Sequence, residues 1–348
     1  MKNIKNLFIY LFFVILILVG LLVFGYNYQV KKAEKDFLRQ NVKAILIVSG
    51  VSFENISFDE NMKILTAEVP CNFNNKKLFN YIDGFFGKEK YNVQFNKKET
   101  RINILKNKKT KLVLQIEQEK PIAYLSIVLD DVGYSLKELY PYIDLNLPIT
   151  FAIFPNEKFS KKAADLLKKY GFDYILHQPM EAFEKKYLMK NTLSEGLSES
   201  KMAEILENNL KSIDYPWAIN NHMGSKFTSN PIAMKKFLNI LKDRNMVFLD
   251  SKTSYKSVTN KIAKSVGARV LTRNIFLDQV NNRTHDFIRS QFLLAMDKAE
   301  KIKYSICIGH ITTTSIYFVA KELLDEMNKR KIKIINLRGL YNELYKTS

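Results

Sequence analysis

Asp130 and Asp131 close the apolar run "IVLDDVG", His177 closes "DYILHQP", and Asn220, Asn221 and His222 close "WAINNHMG". Asp250 and Ser251 close "MVFLDSK" in the same way, and His310 closes "YSICIGH". Two imidazoles and a carboxylate are the usual open-site donor set for Zn²⁺, which leaves one coordination position for water or substrate. Such a cation lowers the pKa of the water it holds toward about 7. A second carboxylate can then take the proton, and a further histidine can donate to the leaving group. Adjacent aspartates could divide these tasks, one toward the metal and one toward the water, only where the backbone is irregular. On a regular strand they face opposite ways. Gly133, just beyond the pair, permits such an irregularity.

Each signal alone has an ordinary structural explanation. Paired aspartates after a strand bond local backbone N–H groups in turns or cap the next helix, and a single strand-end histidine is commonly a hydrogen-bonded structural residue. The coincidence carries the reading, because three of only four histidines fall at strand ends. His285, in "NNRTHDFIR", stands apart before a helix and reads as a surface or capping residue. His222 is favoured as the third metal ligand. Glu181 is the alternative, since it lies four residues after His177 and would share a helical face with it. Pro179 between them argues instead for a strand-to-loop bend. Asn221 and Ser225 in "NNHMGSKF" suit contact with a polar ligand, or equally a turn, and Asp250 joins them as a strand-end candidate.

Bringing these residues together requires a particular architecture. From about residue 119 to 348, apolar runs alternate with amphipathic segments such as "SKKAADLLKKYG", "ESKMAEILENNLKSI" and "PIAMKKFLNILKDRN". Strands buried on both faces and joined by helices imply a parallel sheet, because parallel strands need crossover connections. About seven or eight such units fit a closed β/α barrel or an open doubly wound sheet. In either, sites form at the C-terminal ends of the strands. No Gly-rich phosphate loop opens a helix and no repeat period is evident.

Upstream the texture differs. "LFIYLFFVILILVGLLVFGY", Leu7 to Tyr26, is an uncharged apolar run long enough to cross a bilayer as a helix. Tyr26, Asn27 and Tyr28 follow it where a cleavage site would need small residues, so it reads as an uncleaved anchor over residues 1–28. Lys31, Lys32, Lys35 and Arg39 then follow the anchor, which on charge alone counts against export of what lies beyond. Residues 29–118 read as a small α+β domain without evident chemistry, with strands in "MKILTAEVP", "YNVQFN", "TRINILKN" and "TKLVLQIEQE" and a helix in "NKKLFNYIDGFFG". The net charge of +19 is spread through nearly every segment of the 348 residues, so a lysine-rich solvated surface is favoured over nucleic-acid binding. Cys71 and Cys307, far apart, supply neither a disulfide framework nor a paired zinc motif.

Over residues 122–340 the sequence resembles the divergent polysaccharide deacetylase family, through "IVLDDVGYS", "FAIFPN", "LHQPMEA", "NNHMGSKFT", "FLDSKT" and "IGH" in order. The resemblance implies a distorted β/α barrel, here of about seven strands. It also implies a general base at Asp130, a metal ligand at Asp131, the first metal-binding histidine at His177 and a leaving-group histidine at His310. Members with established deacetylase chemistry place both metal histidines in one His-x-x-x-His motif, whereas Glu181 stands at the second position here. The expected function is metal-dependent removal of an acyl group, acetyl in the first instance, from an envelope polysaccharide or peptidoglycan, with Zn²⁺ as cofactor. The expected location is a single-pass inner-membrane protein with the barrel in the periplasm. The alternatives are a non-catalytic glycan-binding or scaffold protein, which could engage a cell-wall enzyme as partner, and an amidase acting on peptides or small molecules.

Overall fold

The computed structural model describes residues 2–184, 189–279 and 281–345, with side chains from residue 14 onward. It divides into two units, Met1–Lys120 and Pro121–Ser348.

In the first unit, α1 (Lys2–Val48) is a single uninterrupted helix. It is long and apolar enough to cross a membrane, and Leu16, Ile17, Leu22 and Phe24 on it are exposed. Toward its end the pattern changes: Leu38, Val42 and Leu46, four residues apart, are buried. They share a core with Leu78, Ile82 and Phe86 of α2 (Asn75–Lys88), whose start is capped by the Asn74 side chain accepting from the Lys77 N–H. Five strands complete the unit: β1 (Ile56–Asp59), β2 (Ile64–Val69), β3 (Asn92–Phe95), β4 (Arg101–Lys106) and β5 (Lys109–Gln118). Their order is β1-β2-β5-β4-β3, with β2 and β5 parallel and the other pairs antiparallel. β1, four residues long, is an element that the sequence reading passes over.

The second unit alternates strand and helix: β6 (Ala123–Val132), α3 (Leu139–Leu145), β7 (Thr150–Ile153), α4 (Ser160–Tyr170), β8 (Asp173–Met180), α5 (Glu199–Ser212) and β9 (Ala218–Met223). It continues with α6 (Pro231–Asp243), β10 (Val247–Asp250), α7 (Thr259–Val266), β11 (Arg269–Thr272), β12 (Ile275–Phe276), α8 (His285–Ile302) and β13 (Tyr304–His310). It ends with α9 (Thr314–Glu322), α10 (Leu324–Lys329), β14 (Ile332–Ile334) and α11 (Leu337–Leu344).

The strands form one nine-stranded sheet, ordered β11-β10-β9-β8-β7-β6-β13-β12, with β14 added beside β6. Every pair in it is parallel. Its two ends, β11 and β12, are joined by Arg273 and Asn274 alone. The Arg273 N–H bonds Asp250 O on one side (3.0 Å), and the Asn274 N–H bonds Ile306 O on the other (2.8 Å). The sheet therefore curls into a distorted barrel whose seam is a kink in one stave.

Strand alternation divides the residues between two cores. Val128, Ala152, Ile175, Ala218, Leu249, Leu271, Ile306 and Ile308 fill the interior and meet Leu337 and Leu340 of α11. Residues of opposite parity, among them Leu129, Phe151, Leu176, Ile219 and Phe248, pack under the surrounding helices. Moving two residues along each interior strand toward its C-terminal end gives Asp130, Phe154, His177, Asn220, Ser251, Arg273 and His310. The polar layer is thus the next tier of the barrel core.

Candidate active site

Interior parity places Asp130 but not its neighbour. The pairing of β6 with β7 shifts register between Leu129 and Val132, and Asp131 adopts a left-handed backbone with φ 66°. This bulge brings the Asp131 carboxylate to the same interior as Asp130. The sequence suggests a backbone irregularity eased by Gly133. Gly133 is indeed left-handed at φ 135°, where an added Cβ would lie 3.0 Å from Ser160 Oγ, but the turn of the carboxylate occurs at Asp131 itself.

Asp131 Oδ1 lies 3.2 Å from His177 Nε2 and 3.6 Å from His222 Nδ1. One donor atom from each of the three residues lies within 4.8 Å of the others, which makes them a set able to hold a metal ion. His222 reaches the cluster because it shares the interior parity of Asn220. Both imidazoles pack edge-on against Phe154, with ring centroids 4.7 Å away in each case. The donor set fits a divalent cation on two counts. Two imidazoles with one carboxylate is an open-site combination. In addition, Asp131 Oδ1 is buried without a hydrogen bond of good geometry and faces an imidazole nitrogen of each histidine, as an oxygen that shares a cation with them would.

Asp130 is buried, and burial pushes its carboxyl above the usual range even though His177 beside it favours the anion. Its Oδ1 accepts from Asn220 Nδ2 at 2.8 Å, and His177 Nδ1 in turn meets Asn220 Oδ1 at 2.8 Å. Burial disfavours charge on His177, yet Asp130 and Asp131 raise its pKa to about 9. The same two imidazoles outweigh burial at Asp131 and hold its carboxyl well below the usual range.

His310 ends β13 in register with Asp130. Its Nδ1 meets the Asp278 carboxylate at 3.0 and 3.1 Å, and its Nε2 points inward, 4.0 Å from Asp131 Oδ2. Burial disfavours the imidazolium, but Asp278, with Asp131 and Asp130 beyond it, raises its pKa. Asp278 is absent from the sequence reading. It follows β12, only two residues long, and the signal was a third strand-end carboxylate in "IFLD".

The remaining candidates lie outside this cluster. Glu181 pairs with Lys226 (2.9 Å) and accepts from the Glu195 N–H (3.0 Å). Asn221, of outward parity, spans Met223 O (2.6 Å) and the Ser251 N–H (2.8 Å). Ser225 accepts from the Phe183 N–H (3.1 Å). Asp250, also outward, ties down the Lys252 N–H (2.8 Å) and the Ser257 hydroxyl (2.7 Å). These four shape the loops around the centre. His285 opens α8, half exposed, with Nε2 3.0 Å from Glu322.

Comparison with known proteins follows the same residues. The sequence profile described as divergent polysaccharide deacetylase matches residues 127–341. The chain is 34% identical over 186 residues to the uncharacterized protein YibQ of Escherichia coli K12, a match covering 53% of this chain and 58% of that protein. An uncharacterized protein of Haemophilus influenzae Rd matches at 34% over 186 residues, covering 53% of this chain and 66% of that one. The chain thus spans less than two thirds of these curated relatives. Among solved structures, the uncharacterized protein ATU2773 of Agrobacterium tumefaciens C58 superposes with a TM-score of 0.59 at 19% identity, covering 64% of this chain and 90% of that one, and shares the fold. With its barrel matched nearly end to end by one profile, the chain belongs to the divergent polysaccharide deacetylase family.

Proposed function

We propose that the chain is a metal-dependent hydrolase that removes acyl groups, acetyl in the first instance, from a cell-envelope polysaccharide. The convergence of Asp131, His177 and His222, with Asp130 and His310 beside them, carries this reading. Family membership supports the substrate class.

Asp131, His177 and His222 would hold the cation, with Zn²⁺ the metal that best suits the donors. When bound, it supplies Lewis acidity toward an acyl carbonyl and toward water. The Asp130 carboxylate, fixed through Oδ1 by Asn220, keeps Oδ2 for the proton of the attacking water. Burial makes it a stronger base than an exposed aspartate. His310, whose protonated form the Asp278 carboxylate at Nδ1 favours, would donate from Nε2 to the departing amine or hydroxyl. Phe154 covers one side of both ligating imidazoles with an apolar wall. We further propose that α1 anchors the chain in the inner membrane with the barrel on the periplasmic side, where such a polysaccharide lies.

The test is acetate release from acetylated peptidoglycan and related glycans, run beside peptide amides. Chelator-stripped protein should be inactive on glycan and recover with zinc or cobalt. Metal-replete protein that releases nothing from glycan would contradict the reading, and cleavage of peptide amides alone would replace it with an amidase.

A further inference from the structure

Asn220 lies between the two working halves of the centre, buried with 0% exposure, and all of its amide groups are used. Nδ2 donates to Asp130 Oδ1 (2.8 Å) and to Ser251 Oγ (3.2 Å), and Oδ1 faces His177 Nδ1 (2.8 Å). In its role as base Asp130 is ionised before it takes a proton and can then only accept, so it fixes which end of the amide it meets. A flipped amide would set two acceptor oxygens against each other at 2.8 Å. With its oxygen turned to His177, the amide requires the proton on Nδ1. With a cation bound, His177 must be neutral, and the proton kept on Nδ1 then leaves the Nε2 lone pair for the cation on the side of Asp131 Oδ1, 3.2 Å away.

From this geometry we infer that Asn220 is a positioning residue that sets the Nδ1–H tautomer of His177 for metal binding and, through the same amide, orients Asp130. The inference rests on the metal reading given above. It differs from the function of the neighbouring Asn221, whose outward side chain braces only backbone.

The experiment measures zinc affinity by chelator competition on the full chain. It also records long-range ¹H–¹⁵N spectra of zinc-loaded protein labelled at histidine. Wild type should show two imidazoles protonated at Nδ1, His310 against Asp278 and His177 against Asn220, with the His177 proton slow to exchange and identified by its loss in His177→Ala. Asn220→Leu, of similar size but with neither donor nor acceptor, should lose the slow proton and about 10- to 100-fold in zinc affinity. At saturating zinc its kcat should still fall about tenfold or more, because Asp130 has lost its donor. Asn220→Asp keeps the acceptor for His177, and its second oxygen, set against Asp130 Oδ1, takes up the proton that two such close carboxylates share, so its zinc affinity should stay within about threefold of wild type. It also carries the test if the leucine variant does not fold. Wild-type affinity in Asn220→Leu, or equal loss in a folded Asn220→Asp, overturns the role of Asn220. Wild type that binds no zinc contradicts the metal reading itself.

Discussion

Asp130 and Asp131 are consecutive in the chain, yet both carboxylates face the barrel interior because Asp131 takes a left-handed backbone at φ 66°. One residue bonds Asn220, and the other faces both metal-type imidazoles. The bulge is the device by which one strand supplies two acids to one cluster.

The backbone at Asp131 should be read directly by substitution. Asparagine tolerates the left-handed region and valine does not. Asp131→Asn should melt within a few degrees of wild type while binding zinc at least about 100-fold more weakly. Asp131→Val should lose a further 1–2 kcal/mol or so of stability by denaturant titration. Equal stability of the two variants would show that the φ constraint does not operate.

The pair of Asp278 and His310 makes a pH-dependent contribution to stability. Asp278 is pushed up by burial but held lower overall by His310 and Thr313, so its contribution is present above its unfolded pKa of about 3.9 and is lost as pH falls through its depressed folded value. His310, with a raised folded pKa, contributes fully below about 6.5 and loses that contribution as pH rises through its folded value. Asp278→Asn should therefore be destabilised by roughly 1–3 kcal/mol at pH 5–6, with the difference shrinking toward pH 3 and pH 9. Thermal melts across pH measure this, and an offset independent of pH would contradict it.

Gly309 allows the approach that pairs these two residues. A Cβ there would meet Ile316 Cδ1 at 2.5 Å and Leu277 Cβ at 3.2 Å, beside Asp278 Oδ1 at 3.5 Å. Gly309→Ala should cost about 1–3 kcal/mol through overpacking. It should also lower kcat more than KM, because Asp278 is displaced from His310. An active variant with wild-type stability would show that the neighbours yield without consequence.

Much of this site is legible in the sequence because strands buried on both faces leave polar residues conspicuous where they end. Asp130, His177, His222 and His310 stand out for that reason, and alternation from Ala218 through Asn220 carries His222 to the interior. The rest depends on features that periodicity does not carry. Strict alternation would turn Asp131 outward, and only the bulge corrects it. Asp278 follows a two-residue strand too short to show a period. Glu181 looks like a ligand beside His177 until Lys226, 45 residues away, is seen to take its carboxylate. Asn220 and Asn221 are equivalent as letters and differ only in the side of the sheet they face.

Cys307 and Cys71 are both fully buried, and burial pushes the Cys307 thiol up to about 12. A thiolate reagent at pH 8 should therefore label neither in the folded chain and both in denaturant. Fast labelling of the native protein would show that the core around β13 opens readily.

The division of labour between the two aspartates is the central claim. Its most direct measurement is acetate release from acetylated peptidoglycan by zinc-reconstituted wild type and Asp130→Asn, with bound zinc determined in the same samples. The expected result is release by wild type and a rate about 10²- to 10⁴-fold lower in the variant at equal zinc content. Zinc-loaded wild type that releases no acetate, or a variant as fast as wild type, would contradict the account.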